Sequence, residues 1–238
     1  TININVSGTG NPQFFLRRLT NQTTGGSISV QNSGRVLIDN DTLLVTALQV
    51  TGFTGTSGDE ISKSEITGNV TFSDDATNTG SVYIGQNRIT GNTSFNSNAA
   101  ITWYEGYQGS DYFNGNVSFS RTTPTGTFNL AYNDTTYAYR DVTFNSTAGF
   151  DINSSIEFKG SNNSIIEQLG TQLIIMPRLI MNKTGAAYLT LNDSVTVTTT
   201  ASFINGNIYT SSAKELVFPN NISHTGASST SHVIGPVI

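Results

Sequence analysis

Arg88, Asp111, Asp134 and Glu157 recur at intervals of 23 residues, so in a chain that coiled with that period they would fall into one column of charge. Two carboxylates a few ångströms apart in a groove are what glycoside hydrolysis requires. A polysaccharide lyase adds a base that abstracts a proton and a metal or cation that holds the substrate carboxylate. Only Arg88 and the distant Arg121, Arg140 and Lys159 are on offer for that part. Charged residues make up 11% of the chain, against about a quarter in ordinary globular proteins. That scarcity favours a solvated charge ladder on an outer wall, and the chain is expected not to be an enzyme.

A second constellation is aromatic. Trp103, Tyr104, Tyr107, Tyr112 and Phe113 crowd one short stretch, and alternation along a strand turns some of them outward. Outward rings over polar neighbours stack on sugars, which makes Trp103, Tyr104, Tyr107 and Tyr112 the candidate carbohydrate-stacking residues; the competing account has them covering a thick corner. His224 and His232 lie eight residues apart with no third ligand or carboxylate close in sequence, so no metal or other cofactor is expected. Asp59, Glu60, Asp74 and Asp75 lack the alternating acidic spacing of a calcium loop and read as turn solvation. TVTTT at Thr196 to Thr200 is one strand of an ice-binding kind, where several in register would be needed. No nucleophile elbow, phosphate loop or dinucleotide glycine motif is present.

The elements that must position these residues show themselves through repetition. GNVTFS at Gly68 to Ser73 returns as GNTSFN at Gly91 to Asn96, GNVSFS at Gly115 to Ser120 and RDVTFN at Arg140 to Asn145, and the anchors Phe72, Phe95, Phe119 and Phe144 are 23, 24 and 25 residues apart. A period in this range signals a repeat architecture. Within each copy Val70 and Phe72, Thr93 and Phe95, Val117 and Phe119, Val142 and Phe144 share one face, which is the period of a strand. Two further apolar pulses follow each copy, such as Val82 and Ile84, then Ile89. Three short strands cannot close a core alone; stacked turns bury their faces and pair their edges about 4.8 Å apart. Gly, Asn, Asp, Ser and Thr fill the corners, as in SDDATNTG and KGSNNS.

The expectation is therefore an all-β fold, a right-handed parallel β-helix or β-solenoid with about 24 residues and three strands per turn, in which the four phenylalanines form one internal column. The alternative is a β-sandwich, which shares the short strands and does not account for near-identical copies. Residues 1–238 read as a single domain, with the clearest repeats over 68–165 and further turns over 166–238, where Pro177 is expected at a corner rather than mid-ladder. NPQFFLRRLTN does not fit the alternation and is expected to belong to an irregular N-terminal cap over 1–25.

The balance of 16 acidic against 11 basic residues, a net charge of −5, supplies no basic stripe, so nucleic acid is not an expected partner. No apolar run approaches the length that spans a bilayer, so no direct membrane insertion is expected. The absence of cysteine removes disulfides, thiolate catalysis and zinc-thiolate sites. The chain begins at Thr1 without Met and ends at Ile238, and is expected to be a processed or excised piece of a longer polypeptide.

The run LIMNKTGAAYLTLNDSVTVTTTASFINGNIYTSSAKELVFPNNISHTGASSTSHVIGPV resembles a stretch of the large secreted and cell-surface proteins of Bacteroidota, the clients of type IX secretion that include gliding-motility adhesins. The resemblance covers residues 165–238 well and the earlier repeats more loosely. It implies an extracellular or cell-surface, non-enzymatic β-helix segment, adhesive or structural, that meets secretion machinery during export and surface glycans or other extracellular proteins afterwards. It also implies O-glycosylation where Asp precedes Ser or Thr, which nominates Thr42, Thr135 and Ser194 in NDTL, NDTT and NDSV; the competing account is that Asn-Asp makes a good turn. A carbohydrate-active enzyme on the same scaffold, a lyase or glycoside hydrolase, is the alternative, to be recognised by two or more acids aligned in a groove.

Overall fold

The computed structural model describes residues 2–5 as backbone and 12–20, 25–31, 34–56, 58–219 and 222–238 in full. Among these residues there is no helix, and the chain winds as a β-solenoid of about nine turns whose named strands all pair in parallel. Three sheets of 11, 7 and 10 strands form its walls. Through the middle of the chain each turn gives one strand to each wall: Asn69–Asp74, Val82–Gly85 and Arg88–Ile89 make one turn, and Thr93–Ser97, Thr102–Glu105 and Tyr112–Phe113 the next. Val117–Arg121, Thr127–Leu130 and Thr136–Ala138 follow.

The phenylalanine column is present. Phe72 pairs in register with Phe95, Phe95 with Phe119 and Phe119 with Phe144, all inside the core. The Phe95 and Phe119 rings stack at 5.7 Å and 19°, and Phe119 and Phe144 at 6.1 Å and 20°. Offset stacking of this kind adds attraction beyond buried area. Parallel register one turn apart excludes the sandwich, whose strands would pair antiparallel.

Why the copies begin with Gly-Asn is answered at the corner between the third and first sheets. A Cβ placed on Gly91 would lie 2.4 Å from the carbonyl group of Gly68, and one on Gly115 would lie 2.4 Å from the carbonyl oxygen of Gly91. Successive backbones touch there, so only glycine fits. Gly91→Ala is expected to cost about 1–3 kcal/mol through overpacking, read as a lower urea midpoint with unchanged slope; an unchanged midpoint would mean the corner is looser than these distances. The fourth copy carries Arg140 at this corner, after the longest, 25-residue, step.

Toward the C-terminus the second wall stops at Asp151–Ile152, and the long strands Ile174–Lys183 and Val195–Asn205 take over. The ladder between those two skips Pro177 at a register shift between Met176 and Arg178. A residue without an N–H is tolerated where the ladder already slips, so Pro177 is accommodated at a break in pairing inside the strand Ile174–Lys183 and not at the expected corner.

The N-terminal expectation is corrected. Gln13–Arg17 is not part of an irregular cap; it is a regular strand of the second wall, paired in parallel with Arg35–Asp39. Phe14 faces the core while Phe15 is 49% exposed. Two adjacent aromatics concealed an ordinary in-out alternation.

Candidate functional site

The charge column does not form. Steps of 24 and 25 residues carry the walls out of phase with a fixed spacing of 23. Arg88 pairs with Glu65 on one side and Tyr112 on the other, Tyr112 with Tyr137, and Tyr137 with Glu157. Arg88 and Glu157 thus share the outer column of the third wall with two tyrosines between them. Asp134 lies in an exposed turn, where its Oδ1 accepts the Thr135 N–H at 2.8 Å. Asp111 points into the interior and is fully buried.

Asp111 belongs to a polar ladder along the corner between the second and third walls. The N–H of Asp41 donates to Ser64 Oγ at 3.2 Å, that of Ser64 to Asn87 Oδ1 at 3.1 Å, and that of Asn87 to Asp111 Oδ1 at 2.9 Å. Each turn's side chain satisfies the backbone of the turn before it. Glu105, which takes the place of Ile84 in the second wall, joins this network. It accepts the Ala131 N–H at 2.8 Å and the Thr136 hydroxyl at 2.6 Å, while Asp111 also accepts the Gly106 N–H at 3.2 Å. Burial raises the pKa of both carboxyls; the negative charge of Glu105 raises Asp111 further, and hydrogen bonds from Thr136 and Ala131 partly offset the effect on Glu105. Each of the two carboxyls also hydrogen-bonds the other.

A second interior pair lies at the corner between the first and second walls. Burial lifts Asp59 to about 7 and Asp74 to about 6, against hydrogen bonds from the Val36 N–H to Asp59 and from the Asn98 N–H and Trp103 Nε1 to Asp74. Glu60 and Asp75 stand outside this pair, half-buried. Perturbed carboxyls often mark active sites; these four lie behind the wall, hydrogen-bonded to backbone N–H groups and to the side chains of Asn78, Trp103, Asn87 and Thr136. One buried cation is also of this kind: Lys183 Nζ donates to Tyr139 O at 3.2 Å, Lys159 O at 2.8 Å and Ser164 Oγ at 2.6 Å, and burial lowers its pKa to about 8.

The structure separates the four aromatics proposed to stack on sugars. Trp103 is fully buried, with Phe72 and Phe95 against its ring, so it cannot meet a ligand from outside. The alternation that puts Val82 inside puts Trp103 there too, in the same ladder. Tyr104 and Tyr107 stay together on the outer face of the second wall, joined by Tyr83 and Tyr132, which the sequence reading missed. Tyr104 stacks on Tyr83 at 5.4 Å and 7°, Tyr107 leans against Tyr83 at 4.6 Å and 48°, and Tyr132 meets Tyr104 edge-on at 4.7 Å. Tyr112 is on the third wall, sandwiched between Tyr137 at 4.5 Å and the Arg88 guanidinium at 4.7 Å. Only Tyr83 with Tyr104 and Tyr112 with Tyr137 lie face to face; Tyr107 and Tyr132 meet their neighbours tilted or edge-on.

Two grooves open where the second wall changes. One of about 700 Å³ is lined by Arg121, Phe150, Asp151, Gln172 and Leu173 among others, and Leu173 is 70% exposed at its lip. Arg121 donates to the carbonyls of Gly149, Pro124 and Gly126, and Asp151 is the single carboxylate there. The other, of about 420 Å³, holds Glu167 and Asp193 together. Both Asp193 oxygens are engaged, Oδ1 with Lys214 Nζ and Oδ2 with the Gln168 N–H, each at 2.8 Å, and Glu167 Oε1 accepts from Thr143 at 3.1 Å.

Among the candidate glycosylation sites, Thr42 and Ser194 are half-buried, the latter accepting the Glu215 N–H, and Asp41 before Thr42 is turned into the core. Thr135 alone has an exposed acid before it, Asp134. No group of three or more His, Asp or Glu able to hold a metal occurs among the described residues, and no helix there is long and apolar enough to cross a membrane. Compared with models of protein families, with curated proteins and with solved structures, the chain matches none.

Proposed function

We propose that this chain is a non-enzymatic, structural and adhesive segment of a secreted or cell-surface protein, a stiff rod whose polar walls and corner loops contact surface glycans or other extracellular proteins. The observation that carries this reading is where the unusual acids are: Asp59, Asp74, Glu105 and Asp111 are all buried inside the tower, hydrogen-bonded to backbone and to neighbouring side chains. A hydrolase needs such groups at a surface a substrate reaches. Export to the surface rests on the resemblance of residues 165–238 to the large surface proteins and adhesins of type IX secretion, and Thr135 is the candidate glycan acceptor under it. The test is incubation with neutral and acidic polysaccharides, scoring both retention and newly released reducing or unsaturated ends. Retention without release is expected; release of oligosaccharide would overturn the reading and point to the groove of Glu167 and Asp193.

A further inference from the structure

Resting on that adhesive reading, we infer that the outer face of the first wall, from Asn69 to Thr143, binds an uncharged polysaccharide lying extended along the rod axis, with one sugar to each turn. Asn69, Asn92 and Asn116 stand exposed at the start of successive strands. The Asn69 Oδ1 accepts the Asn92 N–H at 2.9 Å, Asn92 Oδ1 the Asn116 N–H at 3.0 Å, and Asn116 Oδ1 the Asp141 N–H at 3.4 Å. A backbone N–H needs an oxygen, which fixes each amide the same way round. The Nδ2 groups are left facing outward, with no protein acceptor among the described residues, as a row of donors repeating at the strand spacing of about 4.8 Å.

Beside that row runs a column of hydroxyls, Thr71, Ser94, Ser118 and Thr143, in register. Ser94 donates to Asn96 Oδ1, Ser118 to Thr93 O and Thr143 to Glu167, so their free lone pairs are what remain for a ligand. Donors on one side and acceptors on the other suit a sugar hydroxyl, which both gives and takes a hydrogen bond. Between the two columns lies a groove of about 320 Å³ whose lining contains no ionisable side chain. Charge begins beyond it, at Arg140, Asp141 and Glu167, while the other walls carry Glu60, Glu65, Arg88 and Glu157 on their outer faces. Along the groove from Asn69 to Ser118 an acidic polymer would lose its hydration with no cation in return, and Arg140 at the far end is beside the acid Asp141. A neutral repeating chain gains the same contacts at every turn, and several weak contacts on one strand add as linked sites do.

Asn92→Asp separates binding from folding, because the remaining carboxylate oxygen still accepts the Asn116 N–H while the outward donors are lost. The probes are neutral β-linked gluco-, xylo- and manno-hexasaccharides, with polygalacturonate as the charged comparison, titrated calorimetrically against wild type, Asn92→Asp, Ser94→Ala and, on the second wall, Tyr104→Ala. Wild type is expected to bind at least one neutral hexasaccharide and not polygalacturonate. Asn92→Asp is expected to weaken it about tenfold, the worth of one or two hydrogen bonds, at an unchanged melting temperature, with Tyr104→Ala neutral. Binding that survives Asn92→Asp and Ser94→Ala but fails in Tyr104→Ala would overturn this face and leave the adhesive reading standing. Wild type that binds only polygalacturonate, or no hexasaccharide, would also overturn the proposal; shortened hexasaccharide products would sink the non-enzymatic reading instead.

Discussion

The rod is expected to melt on the order of 10 °C higher near pH 5 than near pH 7.5, the reverse of the usual acid sensitivity of proteins stabilised by ion-paired carboxylates. The cause is the set of buried acids. Asp59 and Asp74 have folded-state values of about 7 and about 6 against ordinary values of 3.8. A carboxyl raised on folding holds a proton that the unfolded chain releases, so its contribution is fully present below about 4 and is lost as pH rises through 6 and 7. At about 1.4 kcal/mol per pH unit, the pair accounts for several kcal/mol, and Glu105 with Asp111 moves in the same direction.

Lys183 acts in a separate window. Its folded value of about 8, down from 10.5, means that stability is present above 10.5 and lost as pH falls through 8. The profile of stability against pH should therefore be lowest between about 7 and 8 and rise on both sides. Far-ultraviolet circular dichroism melts across this range test it. Asp59→Asn should flatten the acid limb and raise the melting temperature at pH 7.5, since the amide oxygen still accepts the Val36 N–H. A wild-type melting temperature that is flat or falls between pH 7.5 and pH 5 would refute the account of the interior acids.

Phe119→Ala is expected to cost about 3–5 kcal/mol, the largest loss from any single truncation in the column. Phe119 is surrounded by rings on every side: Phe95 at 5.7 Å, Phe113 at 6.2 Å, Phe128 at 5.7 Å and Phe144 at 6.1 Å. Its removal leaves a void that backbone ladders on three walls keep from collapsing, so the cavity cost adds to the lost transfer energy. Because each turn contacts only its neighbours, the loss should uncouple the turns on either side, seen as new protease cutting within the loop from Thr122 to Gly126. Phe119→Leu should cost less than about 1.5 kcal/mol. A loss under about 1 kcal/mol for the alanine variant would mean that the column is not the main support of the tower.

Legibility differed between the walls and their corners. The first wall was readable because its four copies repeat sequence as well as pattern, and alternation identified Val70, Phe72, Phe95 and Phe119 as inward residues. The same alternation, applied strictly, would have buried Trp103 and Glu105, which share inward parity with Ile101. Trp103 stands in the aromatic cluster of Tyr104 and Tyr107, yet it has the inward phase of Ile101, and phase decides its burial. Gln13–Arg17 was missed for a related reason, two adjacent phenylalanines hiding a strand. The Asn69, Asn92 and Asn116 ladder left a trace in the Gly-Asn that opens three copies, although the glycine half of that signal is about backbone contact and the asparagine half about bonding the next turn.

From sequence alone came the stacked, three-walled coil, the column of phenylalanines and the corner glycines, because each depends on local alternation repeated at nearly constant spacing. Which charged residues share a column was decided only in three dimensions. Corner insertions lengthen the turns from 23 to 25 residues, and every added residue shifts what lies above what. That shift separates Arg88 from Asp111, encloses Asp111 with Glu105, and sets Tyr112 between Arg88 and Tyr137.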